Sequence, residues 1–526
     1  MHRTLLIAIL LLMPASIGTA QPPQRGGPPP GPPAVPPKAL FPNAEPVRPC
    51  DSLRSLSLPN TTIETAAVEG GNGTSSEVCR ITAVVTHPPA GDKVRIFIGL
   101  PVKGWNGRFE GTGGGGFSGG NPNGVRQPNS VGYAAGATDT GHEGASGSFA
   151  LDANGRLNWM LIRDNAYLGI HEMTVLGKAL TEAFYGKTPR YSYFMGCSTG
   201  GRQALSEAQR YPQDYDGVVS GAPAINWTKL HIEQMWGELV MKEANNFVPQ
   251  CRFQAATAAA VAACDAIDGV KDGVIEDPKR CHFDPKSLVG TTVEGCGTFS
   301  EADAEVIRKI WHGPRRQDGS FLWYGLQPGG DFAGLSNTGG TPLTGRPQPI
   351  TMEWWRYFLT QNPQYDWTTL TPAGYEQMWD QSLEEFTAVL GTDNPDLSGF
   401  RSRGGKAILW HGWSDQLIYP EGTIDYYKRV QERMGGDKTA EFVRLFMAPG
   451  VGHCGGGTGP APTGQLESLV KWVEDGKAPE TLEAVRRDQT GKTIRSRPLC
   501  TYPLVARYKG SGSTDEMANF VCSANF

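Results

Sequence analysis

Residues 191–201 read Tyr-Ser-Tyr-Phe-Met-Gly-Cys-Ser-Thr-Gly-Gly and contain the pattern Gly-x-Ser-x-Gly around Ser198. The run 191–195 is short and β-prone, and residues 202–210 can form a helix. In the strand-turn-helix elbow that carries this pattern, the serine Oγ is exposed to substrate. The sequence therefore predicts Ser198 as a nucleophile held between a strand and a helix.

Two cysteines flank this serine and a candidate base. Cys197 precedes Ser198, and Cys454 directly follows His453. A disulfide brings the two Cα atoms to about 5–6 Å from each other. If Cys197 and Cys454 pair, Ser198 and His453 are neighbours in space although they are distant in the chain.

The N-terminus has the composition of an export signal. Residues 1–20 combine an early basic residue, an apolar run and small residues at a cleavage position, which predicts a signal peptide. Residues 21–38 are mostly proline and glycine, which is typical of a linker without a core. Ten cysteines fit an oxidising compartment, so we expect a secreted or periplasmic protein.

Charge and length limit the partners and the domain organisation. A net charge of −5 over 526 residues, without a basic stripe, argues against nucleic acid as a partner. After the leader, no apolar stretch approaches the roughly 20 residues of a membrane-spanning helix. About 490 residues remain after the linker, more than one ordinary domain holds. We expect two domains.

Strands and helices alternate on both sides of a long interruption. We predict strands over 93–102, 132–138, 191–195, 217–220, 407–410 and 442–447, and helices over 163–185, 202–210, 426–433 and 466–473. This alternation predicts an α/β fold, with a mostly parallel sheet covered on both faces, as in an α/β-hydrolase.

The interruption has a different composition. An alanine-rich helix is predicted over 255–263, and Ser300 begins another helix in which Asp303 completes a capping box. The simplest division is a catalytic domain of residues 39–225 and 401–526, interrupted by an inserted lid domain of residues 226–400. An insertion of this length is a domain in its own right.

The chain order of the catalytic residues in α/β-hydrolases is Ser, then Asp or Glu, then His. Only His411 and His453 lie beyond the start of the strand at 407–410, and His411 precedes every plausible acid after that strand. His453 is therefore the better base. Asp415 follows the strand across a short turn, at the end where this fold places its acid.

The chemistry assigns a role to each of these residues. The Ser198 hydroxyl is a weak nucleophile, so the imidazole of His453 must accept its proton. Asp415 would hold that imidazole in one tautomer and stabilise its protonated form. Asp425, predicted at the start of a helix, and Asp437, predicted in a polar loop, are weaker candidates for the acid.

An oxyanion formed during acyl transfer needs backbone N–H donors. The N–H of Thr199, directly after the nucleophile, is one candidate. The glycine-rich run 111–116 is expected to supply the other, because backbone without side chains can approach the substrate. Two alternatives for this run are a flexible loop and a phosphate cradle, but the Lys-Ser/Thr of a P-loop is missing.

The segment 264–274, Cys-Asp-Ala-Ile-Asp-Gly-Val-Lys-Asp-Gly-Val, places three carboxylates close together. One interpretation is a calcium loop, in which backbone carbonyls supplement the acids. The other is a pair of ordinary Asp-Gly turns with solvated charges. The spacing is not that of an EF-hand, and Cys264 and Cys281 bracket the loop. The carboxylates belong to Asp265, Asp268 and Asp272, and the carbonyls to Val270 and Val274.

In combination, these motifs resemble the tannase and feruloyl esterase family, which includes mono(2-hydroxyethyl) terephthalate hydrolases. The resemblance covers nearly the whole chain after the linker. The matching stretches are Cys-Ser at 197–198, Asp415, His-Cys at 453–454, Trp-Asn-Gly-Arg-Phe at 105–109, Thr-Asp-Thr-Gly-His at 138–142, Tyr-Asp-Gly at 215–217, the acidic loop, Arg-Pro-Leu-Cys at 497–500 and Ala-Arg-Tyr-Lys-Gly-Ser-Gly at 506–512.

The resemblance implies roles for individual residues. It implies a triad of Ser198, Asp415 and His453, with oxyanion donors at Thr199 and Gly115. It also implies a structural Ca²⁺ and several disulfides, and no organic cofactor. The implied calcium ligands are Asp265, Asp268, Asp272 and the carbonyls of Val270 and Val274; the implied disulfides are Cys197–Cys454, Cys50–Cys79, Cys264–Cys281 and Cys500–Cys522. Cys251 and Cys296 are left over and either pair or stay free thiols; the family usually has two close cysteines after the calcium loop, whereas this chain has only Cys296.

The resemblance implies a secreted serine carboxylesterase that hydrolyses aromatic acid esters through an acyl-enzyme. We expect feruloyl or other hydroxycinnamoyl esters first and galloyl esters second, carried on a plant cell-wall polysaccharide or a tannin. Aromatic residues of the lid form either a wall for the acyl group or the core of the lid. They are Trp354, Trp355, Tyr357, Trp367, Tyr375 and Trp379.

Three alternatives stay open at this point. A terephthalate monoester hydrolase would need a cation for the distal carboxylate, for which Arg346, Arg356 and Arg401 are candidates. A peptidase on the same fold would use the same triad. A catalytically silent, calcium-stabilised extracellular binding protein would need none of it, and the intact triad argues against that function.

Overall fold

The computed structural model describes residues 36–71 and 76–525. The predicted signal peptide (1–20) and the linker as far as residue 35 lie outside the described residues. Within the described part, no helix is both long and apolar enough to cross a membrane.

The strands of the described residues form one large sheet and four small ones. Their bounds are β1 Thr61–Glu69, β2 Val78–Val85, β3 Val94–Pro101, β4 Arg108–Thr112, β5 Ala134–Thr138, β6 Tyr191–Cys197, β7 Gly217–Gly221, β8 Thr292–Val293, β9 Gly297–Thr298, β10 Thr338–Gly339, β11 Thr344–Gly345, β12 Lys406–Gly412, β13 Val443–Ala448, β14 Ala461–Thr463, β15 Thr481–Arg487, β16 Thr493–Cys500, β17 Val505–Tyr508 and β18 Phe520–Ser523.

The large sheet has nine strands in the order β1-β2-β3-β5-β4-β6-β7-β12-β13. The pairs β1–β2, β2–β3 and β3–β5 are antiparallel. Every pair from β5–β4 to β12–β13 is parallel. Strand β7 is buried at all five positions, as expected for a parallel strand covered on both faces. The predicted mixed α/β fold with a mostly parallel sheet is confirmed.

Helices cover both faces of this sheet and fill the segment between β7 and β12. The α-helices are α1 Arg126–Ser130, α2 Trp159–Arg163, α3 Gly169–Tyr185, α4 Thr199–Arg210, α5 Trp227–Glu233, α6 Trp236–Glu243, α7 Gln250–Cys264, α8 Glu301–His312, α9 Pro349–Glu353, α10 Pro372–Leu390, α11 Ser398–Ser402, α12 Glu421–Met434, α13 Gly436–Ala440 and α14 Gln465–Asp475. The capping box predicted for Ser300 and Asp303 is present at the start of α8.

The prediction of one regular α-helix over 163–185 is wrong at its start. A π-helical turn, Asp164–Leu168, separates α2 from α3. We attribute this turn to a tertiary contact. The buried Arg202 of α4 donates hydrogen bonds to the carbonyls of Asn165 and Ala166, at 3.0 Å each. Carbonyls held by a side chain depart from the regular α-helical pattern.

None of the described residues between β7 and β12 joins the large sheet. Its apolar residues form two clusters that also include residues from outside the segment, such as Phe117, Phe149 and Tyr419, and α5 packs on α10 inside it. Trp354, Trp355, Tyr375 and Trp379 are buried there, while Tyr357 and Trp367 pack against the same cluster. These aromatic side chains are therefore core residues of the segment.

Five disulfides cross-link the chain, and the described residues contain no free cysteine. The Cα–Cα distance of Cys251–Cys296 is 6.3 Å, so these two cysteines pair and are not free thiols. The other pairs are Cys50–Cys79, Cys197–Cys454, Cys264–Cys281 and Cys500–Cys522. All the predicted pairs are present.

Candidate active site

Ser198 lies in a sharp turn between β6 and α4. Its backbone has φ 61° and ψ −123°, a conformation that a non-glycine residue adopts only when its surroundings enforce it. The Ser198 amide donates to the carbonyl of Gly221 at 2.9 Å, and its carbonyl accepts from the amide of Arg202 at 3.0 Å. A Cβ atom at Gly196 would lie 2.5 Å from the backbone of Gly200, so the turn requires glycine there. These contacts form the elbow that the sequence predicts.

The disulfide between Cys197 and Cys454 brings His453 to this elbow. The two Cα atoms are 5.9 Å apart, across a sequence separation of 257 residues. His453 follows β13 in a loop where its amide donates to Oε1 of Gln416 at 3.1 Å. The Nε2 atom of His453 lies 3.7 Å from Sγ of Cys454. The covalent bond therefore holds the imidazole next to the serine turn.

Asp415 is fully buried and has four hydrogen-bond partners. Its Oδ1 accepts from the amides of Leu417 and Ile418, at 2.9 Å each. Its Oδ2 lies 2.9 Å from Nδ1 of His453 and 3.0 Å from Nε2 of His411. With both oxygens occupied, the carboxylate is fixed in the plane that faces His453.

His411, rejected above as a base, contacts the acid instead. Its Nε2 is also 3.0 Å from the carbonyl of Ile418, and a carbonyl only accepts, so Nε2 carries the proton. Its Nδ1 lies 2.8 Å from the Thr423 hydroxyl. His411 thus donates through Nε2 and positions Asp415.

The electrostatics of the pair suit a general base. Burial acts to raise the pKa of Asp415, but the charge of His453 and the hydrogen bonds from both histidines outweigh it and hold that pKa below its ordinary value. Burial acts to lower the pKa of His453, but the charge and hydrogen bond of Asp415 raise it above 6.5 overall. Asp415 therefore stabilises the protonated imidazole, which is its expected role beside a base.

Ser198 and His453 line the same cavity, which has a volume of about 470 Å³. Thr199 and Gly115, the predicted oxyanion donors, line it as well. The Oγ1 of Thr199 donates to the carbonyl of Gly116 at 2.6 Å, and the amide of Gly114 donates to Oε1 of Gln203 at 2.9 Å. These bonds hold the glycine run against the start of α4.

The rest of the cavity wall is mostly apolar and comes largely from outside the large sheet. The side chains that define it are Ala224, Trp227, Leu230, His231, Gln234, Gln348, Ile350, Leu417 and Ile418. The wall contains no arginine or lysine among the described residues. Of the two alternatives for the aromatic residues at 354–379, core packing therefore holds, and Trp227 of α5 is the tryptophan that lines the cavity.

The three arginines considered for a distal carboxylate lie elsewhere. Arg401 pairs with Glu441 at 3.2 Å, and Arg346 packs over Gly339. Arg356 belongs to the helical turn Trp354–Leu359. None of the three lines the cavity.

The acidic loop lies between α7 and the C-terminal strands. Asp265 accepts from the amides of Asp272 and Gly273 at 3.0 Å and of Val274 at 3.3 Å. Asp272 pairs with Arg497 at 2.6 Å. Burial, together with the charges of Asp272 and Asp265, raises the pKa of Asp268 to about 6.

A second cavity, of about 30 Å³, lies beside this loop. Asp268, Asp272, Val274 and the half-buried Glu276 line it, and Val270 packs beside it against Cys500. Such a volume holds one water-sized species. Arg497 lines the same cavity and already pairs with Asp272. The potential ligands there are carboxylate and carbonyl oxygens, the type that a hard divalent cation such as Ca²⁺ takes.

Comparison with known proteins places the chain among ester hydrolases. A profile of the family "Tannase and feruloyl esterase" matches residues 79–523. A protein of Arthroderma benhamiae named "Probable feruloyl esterase" is 41% identical over 488 residues, which cover 90% of this chain and 88% of that protein. "Probable feruloyl esterase B-1" of Aspergillus terreus is 32% identical, covering 88% of each chain.

Solved structures agree with the sequence matches. Feruloyl esterase B from Aspergillus oryzae superposes with a TM-score of 0.79 at 28% identity, over 90% of this chain and 99% of that one. The tannin acyl hydrolase from Aspergillus niger has a TM-score of 0.81 at 27% identity, over 90% and 93%. The chain therefore belongs to the tannase and feruloyl esterase family of carboxylic ester hydrolases.

Proposed function

We propose that this protein is a secreted serine carboxylesterase that hydrolyses esters of aromatic acids through an acyl-enzyme. The observation that carries the proposal is the covalent bond Cys197–Cys454, with a Cα–Cα distance of 5.9 Å. It joins the turn of Ser198 to the loop of His453, whose Nδ1 is 2.9 Å from buried Asp415. The proposed nucleophile and base thus line one cavity, and the buried acid lies behind the base.

The proposed reaction has two halves. Ser198 Oγ attacks the ester carbonyl carbon while His453 Nε2 takes its proton, and the tetrahedral oxyanion faces the N–H groups of Thr199 and Gly115. The alcohol leaves with the proton from His453, which gives the acyl-serine. Water, deprotonated by the same imidazole, then releases the aromatic acid and regenerates Ser198.

We also propose that residues 226–400 are a lid domain on an α/β-hydrolase domain of residues 39–225 and 401–526. The strand order of the large sheet supports the hydrolase domain. The lid is supported by the absence of the described residues 226–400 from that sheet. Trp227, Leu230 and His231 of α5 lie against the catalytic residues in the cavity wall. Export is supported by the five disulfides, which persist in oxidising compartments.

The cavity wall favours a neutral aromatic acyl group. Trp227, Leu230 and Ile350 offer apolar surface, and the described wall offers no cation to a carboxylate. Relatives named feruloyl esterase and tannin acyl hydrolase support phenolic acids in particular. We place feruloyl and other hydroxycinnamoyl esters first and galloyl esters second, on a plant cell-wall polysaccharide or a tannin.

A panel of four substrates tests this assignment. We expect kcat/KM to be highest for methyl ferulate or methyl caffeate, lower for methyl gallate, and at least about 10-fold lower for a terephthalate monoester, whose carboxylate would be desolvated without a partner. Hydrolysis measured by chromatography of the released acid gives each value. A terephthalate monoester as the best substrate, or no hydrolysis of any ester, would contradict the proposal.

We further propose that the acidic loop binds a structural Ca²⁺ through Asp265, Asp268, Asp272 and the carbonyls of Val270 and Val274. The second cavity and the crowded carboxylates support it. The ion would tie the loop to the C-terminal strands, because Arg497 of β16 already contacts Asp272. The alternative is a pair of Asp-Gly turns without an ion.

Removal of calcium is expected to lower the melting temperature by several degrees, since the ion binds the folded state alone. Differential scanning calorimetry with and without a chelator measures the shift, and added Ca²⁺ should reverse it. The matched variant Asp268→Asn should melt at one temperature under both conditions. Identical melting of the wild-type protein in both buffers would favour the Asp-Gly turns.

A further inference from the structure

A cluster of one histidine and three carboxylates lies outside both cavities described above. His87 and Asp92 come from the loop between β2 and β3, Asp164 begins the π-helical turn, and Glu172 belongs to α3. The Nδ1 of His87 lies 2.6 Å from Oδ2 of Asp92 and 3.9 Å from Oδ1 of Asp164. Its Nε2 lies 2.5 Å from Oε1 of Glu172.

Asp164 is the unusual member of this cluster. Its side chain is completely buried, with 0% exposure, and neither carboxylate oxygen accepts a hydrogen bond from any described residue. Burying an unpartnered carboxylate costs several kcal/mol, so such groups are normally paired or bound to a cation. Its Oδ1 points at the same imidazole nitrogen that Asp92 contacts.

We infer that His87, Asp92 and Asp164 bind a divalent transition-metal cation of the Zn²⁺ or Mn²⁺ type, with Glu172 orienting the histidine. One ligand atom from each of the three residues lies within 4.8 Å of the others. Two atoms that each lie about 2.1 Å from one cation are about 3.4 Å apart in a tetrahedral site. The cation would therefore draw Asp164 closer and replace the hydrogen bond between His87 and Asp92, whose atoms would move apart from 2.6 Å. Imidazole together with carboxylates suits these metals.

The two faces of the imidazole have separate roles in this site. Nδ1 faces the two aspartates and would ligate the cation as a neutral nitrogen. Nε2 would donate its proton to Glu172, which is the carboxylate–histidine–metal arrangement that fixes the tautomer and raises the basicity of the ligand. His87 is 21% exposed and Glu172 17%, which leaves a route for the cation from solvent.

A neighbouring cluster of similar composition differs from the His87 cluster in its charge. His171, Glu207 and Asp214 also gather within the same limit. There, however, the ammonium group of Lys178 donates to the carbonyl of Asp214, so a positive charge is already present beside the carboxylates. In the group around Asp164, the ion pairs among the described residues all involve His87, although the charge of Arg163 also acts on Asp164.

Zinc binding by the intact protein tests the inference. After removal of metals, and with Ca²⁺ present to occupy the acidic loop, equilibrium dialysis followed by elemental analysis should find one Zn²⁺ per chain, bound in the micromolar range or tighter. Asp164→Asn, which keeps the side-chain shape, should weaken this binding at least about 10-fold, and Glu172→Gln by about 10–100-fold. Co²⁺ substituted for Zn²⁺ should give visible absorption that Asp164→Asn lacks.

Two control variants separate this site from the other acidic groups. Asp268→Asn in the acidic loop and Glu207→Gln in the neighbouring cluster should both keep the wild-type Zn²⁺ affinity. Equal Zn²⁺ binding by the wild-type protein and Asp164→Asn, or no binding by either, would overturn the inference. In that case Asp164 is a buried neutral acid, and metal-free Asp164→Asn should melt no lower than the wild type, which circular dichroism checks independently.

Discussion

Replacing Ser198 by alanine is expected to lower kcat/KM for methyl ferulate by at least about 10⁴-fold. The substitution removes the proposed nucleophile. The other candidates in the described cavity wall are engaged, since Cys197 and Cys454 are bonded to each other and the Thr199 hydroxyl donates to the carbonyl of Gly116. The backbone at φ 61° is equally strained with alanine or serine at this position. The melting temperature should therefore change little.

A matched control on the same helix is Ser206→Ala. Ser206 is also buried in α4, and its hydroxyl has no described hydrogen-bond partner. This variant should keep nearly wild-type kcat/KM, because it touches neither the cavity nor the triad. Residual activity of Ser198→Ala above about 1% of wild type would count against Ser198 as the nucleophile.

Replacing Asp415 by asparagine is expected to lower kcat by about 10⁴-fold. An amide in this position can present its N–H₂ group to Nδ1 of His453 and favour the wrong tautomer, and it cannot stabilise the imidazolium. The pH dependence should change too. The base acts only when neutral, so kcat/KM rises with pH as His453 loses its proton, and the charge of Asp415 places that rise above pH 6.5.

Without this charge, the pKa of His453 falls, so the acid limb of the residual activity should move to lower pH in Asp415→Asn. The matched control is Asp425→Asn, which replaces the rival acid. Asp425 pairs with Arg429 within α12, at 2.9 Å, and should be dispensable for catalysis. If kcat falls less than 10-fold in Asp415→Asn, or falls strongly in Asp425→Asn, the acid of the triad is a residue other than Asp415.

The residues of the proposed triad can be picked out in the sequence because each carries a local marker. The glycines around Ser198 mark the turn, and the cysteines beside Ser198 and His453 mark a long-range contact that sequence seldom reveals. Asp415 follows from chain order and from its position after a buried strand. None of these inferences needs the packing of distant side chains.

The predictions that failed depend on such packing. The break before α3 comes from Arg202, which reaches the carbonyls of Asn165 and Ala166 from another helix. The periodicity of apolar residues does not distinguish an aromatic side chain in a core from one in a cavity wall. From sequence alone, Trp354, which is in the core, and Trp227, which lines the cavity, therefore look alike. His411 was considered only as a base, because its contact with Asp415 exists only once β12 and the following turn have folded.

Covalent labelling tests the central claim most directly. A fluorophosphonate ester phosphorylates an activated serine, and peptide mass spectrometry identifies the residue that carries the adduct. One adduct per chain is predicted, on Ser198, with loss of esterase activity in proportion to labelling and no adduct in Ser198→Ala. Full inactivation with the adduct on another residue, or an unlabelled Ser198 in an inactivated enzyme, would contradict it.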